Sequence, residues 1–136
     1  MIKLRSRAAI CCARIVYEAV TRLGRGSGSS LPGRIARWID PEILSVLPGM
    51  VRKKVIAVTG TNGKTTVNGI LTHVLEAQGQ KVVSNRLGAN LSDGILSAFV
   101  LAAGRGGRPD ADYACIEVDE LATGTVFPWL QPDLVI

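Results

Sequence analysis

Lys64 and Thr65 follow a Gly60-Thr61-Asn62-Gly63 turn that joins a β-branched apolar run, Val55–Val58, to an amphipathic stretch. Those residue types at that spacing build a phosphate cradle. Glycines let backbone N–H groups converge on phosphate oxygens, and a helix N-terminus behind them adds partial positive charge. Lys64 can reach terminal phosphates, and the Thr65 hydroxyl is placed to ligate Mg2+. Val58 stands where the general phosphate-loop pattern carries another glycine, so the signature is the narrower Thr59-Gly-Thr-Asn-Gly-Lys-Thr-Thr66. The candidate nucleotide-binding residues are therefore Gly60, Thr61, Asn62, Gly63, Lys64, Thr65 and Thr66.

Two more polar clusters follow apolar runs. Ala114-Cys-Ile116 leads into Glu117-Val-Asp119-Glu120. Mg2+ wants oxygen ligands and commonly uses one or two carboxylates beside phosphates. Glu117, at the end of the run, is the expected metal carboxylate alongside Thr65, and Lys64 and Glu117 are the candidate catalytic pair. Asp119 and Glu120 either reach the metal through water or begin a solvated turn. After the other run, Asn85, Arg86 and Asn90 stand in a Gly-containing loop suited to phosphate or substrate, or to Asn side chains bonding local backbone. Asn85 and Asn90 join the candidate nucleotide-binding set. His73, the single histidine, falls on a polar helix face; Trp38 and Trp129 read as packing residues.

Those clusters need elements to carry them. From Val55 onward the chain alternates: strand 55–59, helix 65–78, strand 81–84, helix 92–103 capped by Ser92, strand 112–118, a helix or turn near 120–130, and a strand from 133. Such alternation predicts an α/β fold with a parallel sheet and right-handed crossovers, ligands lying at the carboxyl ends of the strands. Val67, Ile70, Leu71, Val74 and Leu75 form the stripe expected to pack helix 65–78 on the core. The last strand, Pro132–Ile136, stops in an apolar run, so the sheet is expected to be incomplete and its edge open.

Before residue 51 the pattern differs. A helix over 3–24 sets Lys3, Arg7, Arg14, Glu18, Arg22 and Arg25 on one side and Ala8, Cys12, Ile15, Ala19 and Leu23 on the other. It reads either as a surface helix packed on the domain or as an interfacial helix on anionic lipid. Residues 24–30 form a Gly/Ser linker, and Asp40-Pro41-Glu42 opens a short helix that Pro48-Gly49 closes. Residues 1–54 hold eleven Lys/Arg against three Asp/Glu, whereas 55–136 hold five against eight. The basic excess thus belongs to the N-terminal segment, which suits an anionic surface. No aromatics interleave with the basic residues, so nucleic acid is not an expected partner. Ala8–Ala13 is far too short to span a membrane. Three cysteines, Cys11, Cys12 and Cys115, show no metal or disulfide spacing and indicate a reducing compartment, with Cys115 buried in a strand.

The loop Val58–Thr66, together with Leu31-Pro-Gly-Arg-Ile-Ala36, Asn85-Arg-Leu-Gly-Ala-Asn-Leu91 and Ile116-Glu-Val-Asp-Glu120, resembles the Mur ligase superfamily. Within it the likeness is to the MurT branch, the ligase-like subunits of lipid II isoglutaminyl synthase. The resemblance covers residues 1–136 as the beginning of such a protein. It implies an N-terminal helical segment over 1–50 and the start of a Mur-type ATP-binding central domain over 51–136. It implies ATP and Mg2+ as cofactors, with Glu117 as the second Mg2+ carboxylate, and zinc held by a four-cysteine ribbon beyond residue 136. The implied activity is ATP-dependent amidation of the D-glutamate α-carboxyl of lipid II, through an acyl phosphate and ammonia from a GatD-like glutaminase in a heterodimer. Alternatives are another Mur-type amino acid or polyglutamate ligase, or a nucleotide-binding fragment without turnover. The implied location is the cytoplasm, at the inner membrane face. Leu87 stands where this loop usually has threonine, so a hydroxyl contact is missing there.

Overall fold

The computed structural model describes residues 2–23, 30–86, 89–104 and 106–136. Four parallel strands form one sheet in the order β2-β3-β1-β4: β1 Lys54–Val58, β2 Val82–Ser84, β3 Tyr113–Glu117 and β4 Leu134–Val135. Six helices accompany them: α1 Leu4–Arg22, α2 Leu31–Ile39, α3 Ile43–Val46, α4 Lys64–Ala77, α5 Ser92–Ala102 and α6 Thr123–Leu130. The α/β class and parallel sheet expected from strand–helix alternation are present, and β4 lies at an edge with Leu134, Val135 and Ile136 half-exposed.

One face of the sheet carries the main core. Val55, Ala57, Val83, Ala114 and Ile116 pack there with Ile95, Leu96, Phe99 and Val100 of α5, Ala36 of α2 and Val126 and Leu130 of α6. α5 is apolar nearly all round and buried, as expected, although Ser92 is its first residue and makes no side-chain cap. α2 packs between α1 and α5. Asp40, buried, accepts from the Ser6 hydroxyl and from the Glu42 N–H, so it ties α1 to the turn before α3.

Two amphipathic helices turn differently from expectation. α1 buries Ser6, Ala9, Ile10 and Ala13, leaving Leu4, Ile15 and Leu23 exposed. Small residues at 6, 9 and 13 let α1 approach α2 closely, which selects that face over the more apolar one. Arg14 also leaves the solvent side and donates to the Ala103 carbonyl. The linker 24–29 and Arg25 lie outside the described residues.

α4 covers the opposite face of the sheet, over Cys115, with Asn68 and Thr72 buried. Val67, Val74 and Ile70 are exposed, Ile70 at 60%, and Leu71 and Leu75 are half-buried. The expected stripe is therefore rotated outward. The helix rotation is set from its first turn: Thr65 bonds Glu117, Asn68 bonds Ser84, and Thr72 sits beside Cys115, three contacts at i, i+3 and i+7 on one face. At its far end the N–H of Gly79 (φ 78°) bonds the Glu76 carbonyl and that of Gln80 the Leu75 carbonyl, a left-handed C-terminal cap.

Candidate functional site

β1 delivers the chain to the site. Val58 is its last residue, and the Thr59 N–H is taken by the Ile136 carbonyl, so the loop departs from a point pinned to β4. Gly60 and Gly63 have φ of 133° and 78°, a backbone that L side chains rarely adopt, and open space lies where a Cβ would stand. Gly63 is the N-cap of α4, so the first N–H groups of that helix face the hollow the loop encloses. That cavity, about 280 Å3, is lined by Thr61 to Thr66 with Asn90 and Glu117.

Sheet order brings Glu117 there. β3 lies directly beside β1 with Glu117 in register with Val58, and Glu117 is 6% exposed. The Thr65 hydroxyl donates to Glu117 Oε2 at 2.8 Å. Lys64 donates to the Gly60 carbonyl and to Glu120 Oε2 at 3.1 Å, with 13% of its side chain exposed. The Glu120 carboxyl is held below its usual range by its own backbone N–H and then by Lys64. Asp119 accepts from the Leu121 N–H and caps a single turn over Glu120–Ala122.

The second loop divides its duties. Asn85 is buried, and its side chain donates to the carbonyls of Ala89 and Glu117 and accepts from the Glu117 N–H at 2.9 Å. Those bonds hold the Glu117 backbone in place and occupy the Asn85 amide. Arg86 pairs with Glu76 of α4. Asn90 faces the cavity lined by Thr61 to Thr66, while its carbonyl accepts from the Asp119 N–H. Leu87 and Gly88 lie outside the described residues. His73 is exposed at the rim of a neighbouring hollow with Thr65 and Asn68.

Thr59 opens the loop signature but stands outside the candidate binding residues. Its hydroxyl oxygen is buried without a hydrogen-bond partner, at the first residue of the loop. An orphaned hydroxyl, two glycines with open space, and a threonine hydroxyl paired with one carboxylate suit a phosphate group and a hard divalent cation. Among the described residues no three His, Cys, Asp or Glu side chains cluster as a metal site.

Two expectations about single residues resolve oppositely. Cys115 is buried, and burial pushes its thiol up to about 11, against a smaller opposing effect of the Thr72 hydroxyl. It is an inert packing group. Trp129 packs against the core, but Trp38 is 85% exposed and does not.

No family model matches the chain. It is 34% identical over 133 residues to the MurT subunit of the glutamine-hydrolysing lipid II isoglutaminyl synthase of Staphylococcus aureus, covering 98% of this chain and 29% of that protein. The corresponding subunit of Streptococcus pneumoniae is 30% identical over 135 residues, covering 99% of this chain and again 29% of the relative. A UDP-N-acetylmuramoylalanine–D-glutamate ligase of Synechococcus is 45% identical over 65 residues, 46% of this chain and 13% of that enzyme. The chain thus spans under a third of the length of these curated relatives.

Proposed function

Since the chain belongs to the Mur ligase family, we propose that it forms the nucleotide-binding part of a peptidoglycan ligase, specifically the subunit that amidates the D-glutamate α-carboxyl of lipid II. The supporting observation is the Thr65–Glu117 contact at 2.8 Å beside a loop whose glycines leave room for phosphates. The similarity to MurT subunits runs along nearly the whole chain, whereas that to the D-glutamate ligase stops at about half, which favours amidation over amino acid addition.

In this reading ATP is a substrate. The loop N–H groups and the first turn of α4 cradle its phosphates, and Lys64 turns from Glu120 to the terminal one. Thr65 and Glu117 would hold Mg2+, which when bound shields the phosphate charge. The carboxylate oxygen attacks the terminal phosphorus and ADP leaves. Ammonia from a glutaminase partner then displaces phosphate and leaves the amide. Asn85 serves by fixing Glu117, and Asn90 lines the wall where carboxylate and phosphate meet. The reading puts the protein in the cytoplasm, where a membrane-borne substrate brings it to the inner membrane face.

The test is amidation of lipid II by the full-length protein with its glutaminase. Lys64→Ala should lower turnover at least about 100-fold, and Glu117→Gln should raise the Mg2+ needed at least about tenfold. Turnover by Lys64→Ala within threefold of wild type would sink the reading.

A further inference from the structure

A second cavity, of about 450 Å3, adjoins the phosphate-loop cavity, and Asn90 lines both. Arg34 and Arg37 of α2 line one side, Ser92 and Asp93 at the start of α5 another, and Thr125 of α6 a third. From the Leu31–Ala36 segment, which the nucleotide reading leaves unused, Arg34 lines this cavity. A Cβ at Gly33 would stand 2.0 Å from the Asp93 carbonyl oxygen, and one at Gly94 would stand 2.1 Å from the Ala89 Cβ. Gly33 also donates its N–H to the Ser97 hydroxyl at 2.8 Å, and that hydroxyl donates to the Asp93 carbonyl. α2 is thereby locked against α5, and the arginines stand on a rigid wall.

Charge there is unbalanced. Arg37 lies 3.1 Å from Asp93, whereas Arg34 lies 3.7 Å away, beyond hydrogen-bond reach, with 69% of its side chain exposed. Among the described residues, two guanidiniums share one carboxylate, and one positive charge is left over at the mouth of the cavity. A guanidinium fork matches an oxyanion in two parallel hydrogen bonds. We propose that this cavity binds the acyl substrate of the reaction through an anionic group held by Arg34, with Asn90 as the partition between that substrate and the nucleotide. This rests on the ligase reading above. The anionic group is a carboxylate of the stem peptide or a phosphate of the lipid diphosphate.

The experiment uses the full-length protein with its glutaminase and two soluble acceptors: a disaccharide pentapeptide, and the same compound carrying the diphosphate. Arg34→Ala should raise KM for acceptor about 10–100-fold with KM for ATP unchanged, and Arg34→Lys should recover part of the loss. An effect on both acceptors assigns the carboxylate; an effect confined to the diphosphate compound assigns the phosphate. An acceptor KM within twofold of wild type for both overturns the proposal. Should the wild type amidate neither compound, the ligase reading falls by itself, and calorimetric binding of the diphosphate acceptor decides the cavity. Binding that Arg34→Ala weakens at least tenfold upholds it; equal binding, or none, overturns it.

Discussion

Lys64 is held by two oxygens, the Gly60 carbonyl and a Glu120 carboxylate. On the proposed reading, Glu120 is the partner that a nucleotide phosphate would displace from Lys64. Because the carboxylate is 43% exposed, the pair is partly screened and its competition with phosphate is modest. Glu120→Gln is therefore expected to tighten binding of a fluorescent ATP analogue by up to about fivefold. Weaker binding, appearing only with Mg2+ present, would instead make Glu120 a water-mediated metal contact. Asn85 matters at the same scale, because its amide bonds a backbone rather than a ligand. Its sequence neighbours resemble a phosphate contact, but besides the nearby Ala89 carbonyl its partners are the carbonyl and N–H of Glu117 in β3, thirty-two residues away.

Among elements, the sheet is stitched at the end opposite the site. Asp112 accepts from Arg52 Nε at 2.7 Å before β1 and from the Lys81 N–H at 2.9 Å before β2, joining three strand entrances. Its carboxyl is held at about 2, first by Arg52 and then by that N–H. A carboxyl depressed in the folded state stabilises fully above the ordinary carboxylate range and loses that contribution as pH falls toward 2. The melting temperatures of wild type and Asp112→Asn should thus differ at pH 6 and converge by pH 2; a difference independent of pH would refute the linkage. At the other end, Gly33 has no room for a methyl group against α5. Gly33→Ala should cost at least about 1–3 kcal/mol, read as a lower urea midpoint at unchanged slope. A stability equal to wild type would mean that α2 and α5 separate freely.

Across the whole molecule, charge and apolar exposure fall together on the N-terminal segment. α1 shows solvent Leu4, Ile15 and Leu23 among Lys3, Arg5, Arg7 and Arg22, and no described helix is long and apolar enough to cross a membrane. Exposed apolar residues flanked by basic ones suit the plane of an anionic lipid surface. The protein should co-sediment with anionic but not neutral vesicles and be released by salt. Replacing Leu4 and Ile15 together by Asp should weaken that binding at least about tenfold. Binding to neutral vesicles of equal strength would leave the basic residues without a role.

What could be read along the chain was whatever local chemistry suffices to specify: the glycine turn from β1 into α4, the alternation that makes a parallel sheet, the burial of α5 and Cys115, and a carboxylate at the end of β3. Each depends on residues within about one turn or one strand of each other. Rotation of α1 and α4, the exposure of Trp38, and the partners of Asn85 and Glu120 were not legible in that way. Helical periodicity reports a face's hydrophobicity but not which face a neighbour will cover. On α4 the contact of Thr65 with Glu117 won over the Val67–Ile70–Val74 stripe, and on α1 the small residues that allow close approach won over the larger apolar ones. The strand order β2-β3-β1-β4 set Glu117 beside Val58 and Asn85 behind Glu117. Those pairings join residues more than thirty positions apart, and they become fixed only when the strands pack.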